Sequence, residues 1–227
     1  MIFDLIFGDQ PVKTLIVLLL TVPTVLISLS VHECSHGYVA YKLGDPTAHS
    51  LGRLTLNPIK HLDPIGAICM LLFGFGWAKP VPVNSRYFKN PKRGMALTAL
   101  AGPLSNLLLG FIGTVLHVIL FRVSMSYGGN NEYAVLILEA AVLFFYYFVY
   151  LNIALAVFNL IPVPPFDGSR IFYVFMPDKW YWKVMKYEKI IMIVVLLGFV
   201  FGFFGSFVSY ITNVAVNGMY KLVTLII

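Results

Sequence analysis

Inside one long apolar stretch stand His32, Glu33, Cys34, Ser35 and His36, the pattern H-E-x-x-H. On a helix, residues four apart share a face, so both imidazoles can reach one metal ion while the glutamate between them lies close enough to handle a bound water. That is the geometry of zinc-dependent hydrolysis. Cys34 sits about 200° around the helix from His32 and points away from such an ion. Random placement of this chain's histidines and glutamates gives ~0.002 expected matches, so chance is a poor explanation. Ionisable groups are also costly at membrane depth, and three within five positions are hard to rationalise as structural residues.

Catalytic zinc takes three protein ligands and keeps the fourth position for water. The candidates for the third are His49, His61, Asp45, Asp63, His117, Glu139 and Asp167. His117 and Glu139 fall near the outer ends of their apolar stretches and suit a buried polar pair across a short turn. The four residues from Asp45 to Asp63 stand in a basic loop, where turns and surface pairs are their ordinary work. Asp167 is the best placed. It lies in Asn159-Leu-Ile-Pro162-Val-Pro164-Pro165-Phe-Asp167-Gly168, where prolines stop one helix and the next begins from Gly168 onward. The alternative for Asp167 is an N-cap. A further polar patch, Ala101-Gly102-Pro103-Leu104-Ser105-Asn106, puts Gly102 and Asn106 at i, i+4. The absent glycine side chain lets another helix approach, and the amide serves either a buried hydrogen bond or an oxyanion near the metal.

The elements that position these residues follow from composition. Of 227 residues 59% are hydrophobic and only 11% charged, against roughly 25% charged in soluble domains. This is an integral membrane protein, and neither a nucleic-acid-binding module nor a disulfide-stapled secreted domain fits. Cys34 and Cys69 read as small core residues. A span needs about 20 apolar residues, and the chain offers stretches at 14–41, 94–121, 134–161, 189–204 and 206–225, the last alternatively a surface helix. The first is read as a retained span, since no small-x-small cleavage signal ends it. Ile65–Ala78 is apolar but short and glycine-broken, which predicts a re-entrant loop or β-hairpin between spans one and two. The expected fold is an all-α polytopic bundle of about five spans, with residues 1–227 as one domain.

Basic residues sort the loops. Eight stand between Lys42 and Arg93 and five between Arg170 and Lys189, whereas the turn from Arg122 to Tyr133 has Arg122 alone. The positive-inside rule then puts the first two regions, and with them the HECSH and Asp167 ends, on the cytoplasmic side. The N-terminus, with Asp4, Asp9 and Lys13, falls outside.

HECSH in the first span, AGPLSN in the second and N-x-x-P-x-P-x-x-D-G beyond the third together resemble the site-2 protease family of intramembrane zinc metalloproteases. The segments GDPTAHSLGRLTLNPIKHLDPIG and FGWAKPVPVN resemble its compact bacterial or archaeal branch, without a PDZ or CBS domain. The resemblance implies His32, His36 and Asp167 as ligands of one Zn2+, Glu33 as general base, and Asn106 holding the substrate strand or the oxyanion. It implies a bilayer-embedded enzyme cutting transmembrane proteins or peptides. Phe166 departs from the family's usual leucine before the aspartate. Two other readings compete: a divalent-metal transporter, which lacks ionisable groups through the middle of its spans, and a catalytically silent membrane chaperone of the same fold, against which the intact Glu33 stands.

Overall fold

The computed structural model describes residues 11–73, 76–129 and 131–227, so Asp4 and Asp9 lie outside the described residues. Helices run α1 Pro11–Lys42, α2 Thr47–Ser50, α3 Pro58–His61, α4 Pro64–Phe73, α5 Pro91–Ser126, α6 Glu132–Asn159, α7 Asp167–Phe172, α8 Asp178–Val200 and α9 Gly205–Ile226. Local signals set several starts. Asn90 accepts from the Arg93 N–H with Pro91 at the first helical position, and Asn131 accepts from the N–H groups of Tyr133 and Ala134.

Among the described residues three helices are long and apolar enough to cross a membrane: α1 over Thr14–Lys42, α5 and α6. The expectation of about five spans is therefore corrected. The 189–204 stretch belongs to α8, which starts at Asp178, carries Lys183, Lys186, Glu188 and Lys189 along its length, and stops at Val200. The 206–225 stretch is helical as α9, but Asn213, Asn217 and Lys221 dilute it below what spanning requires. The re-entrant loop or hairpin between the first two spans is corrected too. Pro64–Phe73 is a helix, and a single antiparallel bridge, Leu62 with Ala78, is the only strand pairing among the described residues. Pro64 opens that helix, and the Asp63 carboxylate accepts from the Gly66 N–H at 2.9 Å, so helix initiation wins locally.

The long helix α5 is the hub, packing on α6, α1 and α7. Gly110 and Gly113 bring α6 close: a Cβ at either would meet Ile153 Cγ1 at 2.9 Å or Phe148 Cδ1 at 2.8 Å. In lipid, close van der Waals packing of this kind joins helices where water would supply a hydrophobic drive. Hydroxyls inside α1 are satisfied within the helix, Thr24 donating to the Leu20 carbonyl and Ser28 to that of Thr24. Helix α9 lies on α6, where Val216 joins Val149 and Ile153 in a buried cluster.

Candidate metal centre

Helix α1 buries His32 and His36 one turn apart, with their ring planes nearly perpendicular and centroids 4.6 Å apart. Each ring is held through Nδ1. His36 Nδ1 donates to the Thr98 carbonyl of α5 at 2.7 Å, and His32 Nδ1 donates to Asn106 Oδ1 at 2.5 Å. Both Nε2 atoms turn toward one carboxylate oxygen, Asp167 Oδ2, at 3.1 Å from His32 and 3.2 Å from His36. The three donor atoms lie within 4.8 Å of one another.

This set fits a single zinc ion. In a tetrahedron with bonds of ~2.0–2.1 Å the ligand atoms stand about 3.3 Å apart, close to the two nitrogen–oxygen separations of 3.1 and 3.2 Å. A divalent cation seated among these three atoms would take the lone pair of each Nε2 in place of any proton shared with the carboxylate. Burial pushes the Asp167 carboxyl up, but hydrogen bonds and charge from His32 and His36 outweigh it and hold it at about 2. The carboxylate is thus ionised at neutral pH, as a zinc donor has to be.

Two glycines make room for the cluster. A Cβ on Gly102 would lie 2.5 Å from His36 Nε2 and 2.6 Å from His32 Cε1. The approach that a small residue was expected to allow in AGPLSN is that of the two imidazoles. Gly168 presses against the end of α6, where a Cβ would meet the Leu160 carbonyl oxygen at 2.3 Å. Asp167 is the first residue of α7, preceded by the N-cap Phe166, and no side chain caps that helix. Its carboxylate is turned to the histidines instead of the backbone. Phe166 is buried and packs edge-on against Phe158 of α6, with centroids 4.3 Å apart, so the larger ring has a pocket of its own.

Glu33 faces the loop that follows α4. Its Oε2 accepts from the Val81 N–H at 2.8 Å, while Oε1 accepts no hydrogen bond from the described residues. That loop is anchored independently: Arg53 Nη2 donates to the Lys79 carbonyl at 2.7 Å, and Asp45 accepts from the Asn84 N–H at 2.6 Å. The remaining acid and histidine candidates have local duties. Asp45 also accepts from Thr47, Asp63 caps α4, His61 Nε2 donates to the Thr55 carbonyl and His49 stacks on Tyr41.

The sequence pattern of peptidase family M50 matches residues 20–205. The chain belongs to that family. YwhC of Bacillus subtilis, described as a candidate zinc metalloprotease, is 46% identical over 177 residues, 78% of this chain and 78% of that protein. Rip2 of Mycobacterium tuberculosis is 30% identical over 165 residues, 70% of this chain and 58% of that protein. The zinc metalloprotease MJ0392 of Methanocaldococcus jannaschii is 30% identical over 155 residues, 68% of this chain and 33% of that protein. No solved structure matches the chain. Family, spanning helices and donor set make this M50 protein an intramembrane zinc metalloprotease, an integral membrane enzyme with relatives in bacteria and archaea.

Residue reading alone passed over several participants. The Thr98 carbonyl and the Val81 N–H are backbone groups and carry no signal in side-chain identity. Asn152 does: a lone amide in the middle of an apolar span is costly unless paired. It receives a hydrogen bond from Asn106 Nδ2 at 3.0 Å.

Proposed function

We propose that this M50 peptidase hydrolyses peptide bonds of transmembrane proteins or peptides, with His32, His36 and Asp167 as ligands of one zinc ion, Glu33 as general base, and the site open to the cytoplasm. Residues 1–227 serve this as one domain. The observation that carries the reading is the convergence of two imidazole Nε2 atoms and one Asp167 oxygen beside a glutamate with one oxygen unengaged among the described residues. A zinc ion held by these three residues would polarise the scissile carbonyl and lower the pKa of water.

The chain's own groups divide the rest of the work. Offset by ~100° from His32 on α1, Glu33 stands beside the ligand face instead of on it. The Val81 N–H fixes one of its oxygens, and the other takes a proton from the attacking water and returns it to the leaving amine. Asn106 contributes through His32, because its amide hydrogens already reach the Ser28 carbonyl and Asn152 Oδ1. A helical substrate hides its peptide bonds in internal hydrogen bonds, so it has to unwind locally before cleavage.

The cytoplasmic orientation rests on the basic residues flanking both ligand-bearing ends. Single cysteines at Lys60 and Lys183, in a chain with Cys34 and Cys69 replaced, should label from the cytoplasmic side alone. The chemistry is tested by incubating purified wild type and Glu33→Gln with a panel of transmembrane peptides while measuring bound zinc. The variant should hold the wild-type amount of zinc and lose about 10²–10⁴-fold in cleavage. Cleavage by Glu33→Gln at the wild-type rate would remove Glu33 from the role.

A further inference from the structure

Behind His32 runs a chain of buried amides that crosses all three spanning helices. His32 Nδ1 meets Asn106 Oδ1 at 2.5 Å, Asn106 Nδ2 donates to Asn152 Oδ1 at 3.0 Å and to the Ser28 carbonyl at 3.3 Å, and Asn152 Nδ2 donates to the Phe148 carbonyl at 2.9 Å. Asn106 and Asn152 have no exposed surface at all. The direction of every bond in this chain is dictated by its ends. A backbone carbonyl only accepts, so Phe148 forces the Asn152 amide nitrogen toward itself and the Asn152 oxygen toward Asn106. The Asn106 nitrogen must then face Asn152, which leaves its oxygen for His32. An oxygen acceptor at Nδ1 requires the proton there, and that tautomer keeps the lone pair on Nε2, the atom aimed at Asp167.

We infer that Asn152, through Asn106, is the positioning residue that sets the tautomer and orientation of His32 for metal binding. It touches neither the ion nor the substrate. A buried partner hydrogen-bonded to a ligand typically governs 10–100-fold in metal affinity, and Asn152 stands one hydrogen bond further out. Because the Ser28 carbonyl also engages Asn106, though at the longer 3.3 Å, the lower end of that range applies here. The inference rests on His32 being a metal ligand.

The test is zinc affinity of the purified full chain, measured by competition with a chromophoric chelator. Asn152→Leu keeps the volume but removes the acceptor, and should weaken zinc binding about tenfold. Asn152→Asp, protonated in this buried site, still accepts from Asn106 and donates to Phe148, and should restore affinity to within about threefold of wild type. In an Asn106→Asp background the acceptor for His32 no longer depends on how the side chain is turned. There the Leu substitution at 152 should cost less than about threefold, a coupling that general loosening of the bundle would not produce. Wild-type affinity in Asn152→Leu, or an equal loss in both backgrounds, would overturn the inference. His32→Ala separates the levels: if it binds zinc as wild type does, the site reading itself fails, whereas zinc loss there with none in Asn152→Leu removes Asn152 alone.

Discussion

Helix α5 carries a buried amide near its middle and a half-buried imidazole toward its C-terminal end, and the two have opposite surroundings. Asn106 engages groups from α1 and α6, with each amide atom partnered. His117, three turns further on, sits among the rings of Phe121, Tyr146 and Tyr220, and its buried Nδ1 has no hydrogen-bond partner among the described residues. Its expected partner Glu139 instead lines an open cavity of about 400 Å³ with Glu132 and Gly129. A polar residue in a span is thus no sign of function by itself. What distinguishes Asn106 is that its neighbours on other helices are polar, aligned and include His32 of the histidine–aspartate cluster, whereas those of His117 are aromatic rings.

The largest effect that would sharpen this contrast is expected at the ligand oxygen. Asp167→Asn leaves size and hydrogen-bonding capacity nearly intact, and no capping role exists for the amide to preserve. A neutral amide is a poor zinc ligand, so the variant should lose most of its metal at micromolar free zinc and with it proteolysis, as elemental analysis and peptide cleavage would register. Full zinc occupancy would mean that the third donor lies elsewhere.

Gly102→Ala comes next. Its methyl carbon would fall 2.5 Å from His36 Nε2, so the imidazoles or the helix must shift. Overpacking of this kind costs about 1–3 kcal/mol, and the displaced donors should weaken zinc binding by roughly tenfold or more. The same substitution at Gly218, where nothing lies within 4 Å of the added carbon, should leave metal affinity unchanged. Equal behaviour of the two alanine variants would break the close-approach argument.

Smallest is the change further along α5. His117→Leu removes a buried nitrogen that lacks a partner, so thermal stability should stay level or rise by about 1 kcal/mol, with zinc content and cleavage at wild-type levels. A large loss of activity would give His117 a part in the enzyme that its surroundings do not suggest.

Much of this protein was legible in one dimension. HECSH declares its chemistry because helical periodicity converts a four-residue spacing into a shared face, and three spans emerge because only long apolar helices satisfy their backbone in lipid. The meeting of Asp167 with the two histidines was legible through its prolines and its membrane face, though it stands 131 positions after His36. The glycine of AGPLSN announced a close approach without saying what approaches.

Other features needed the tertiary structure because they depend on backbone groups or on charge spread along a helix. The apolar run after Pro64 looked like a broken hairpin, yet the Asp63 cap and Pro64 start a helix there. The two C-terminal stretches looked like spans until α8 proved to begin at Asp178 and to gather its charges into the same helix. Sequence by itself determined the reactive residue types and the periodicities that place them on faces. Only the fold decided which nitrogen of His32 faces Asp167, because Nδ1 is taken by Asn106, whose amide is turned by carbonyl oxygens on α1 and, through Asn152, on α6, and a carbonyl is present at every residue regardless of its side chain.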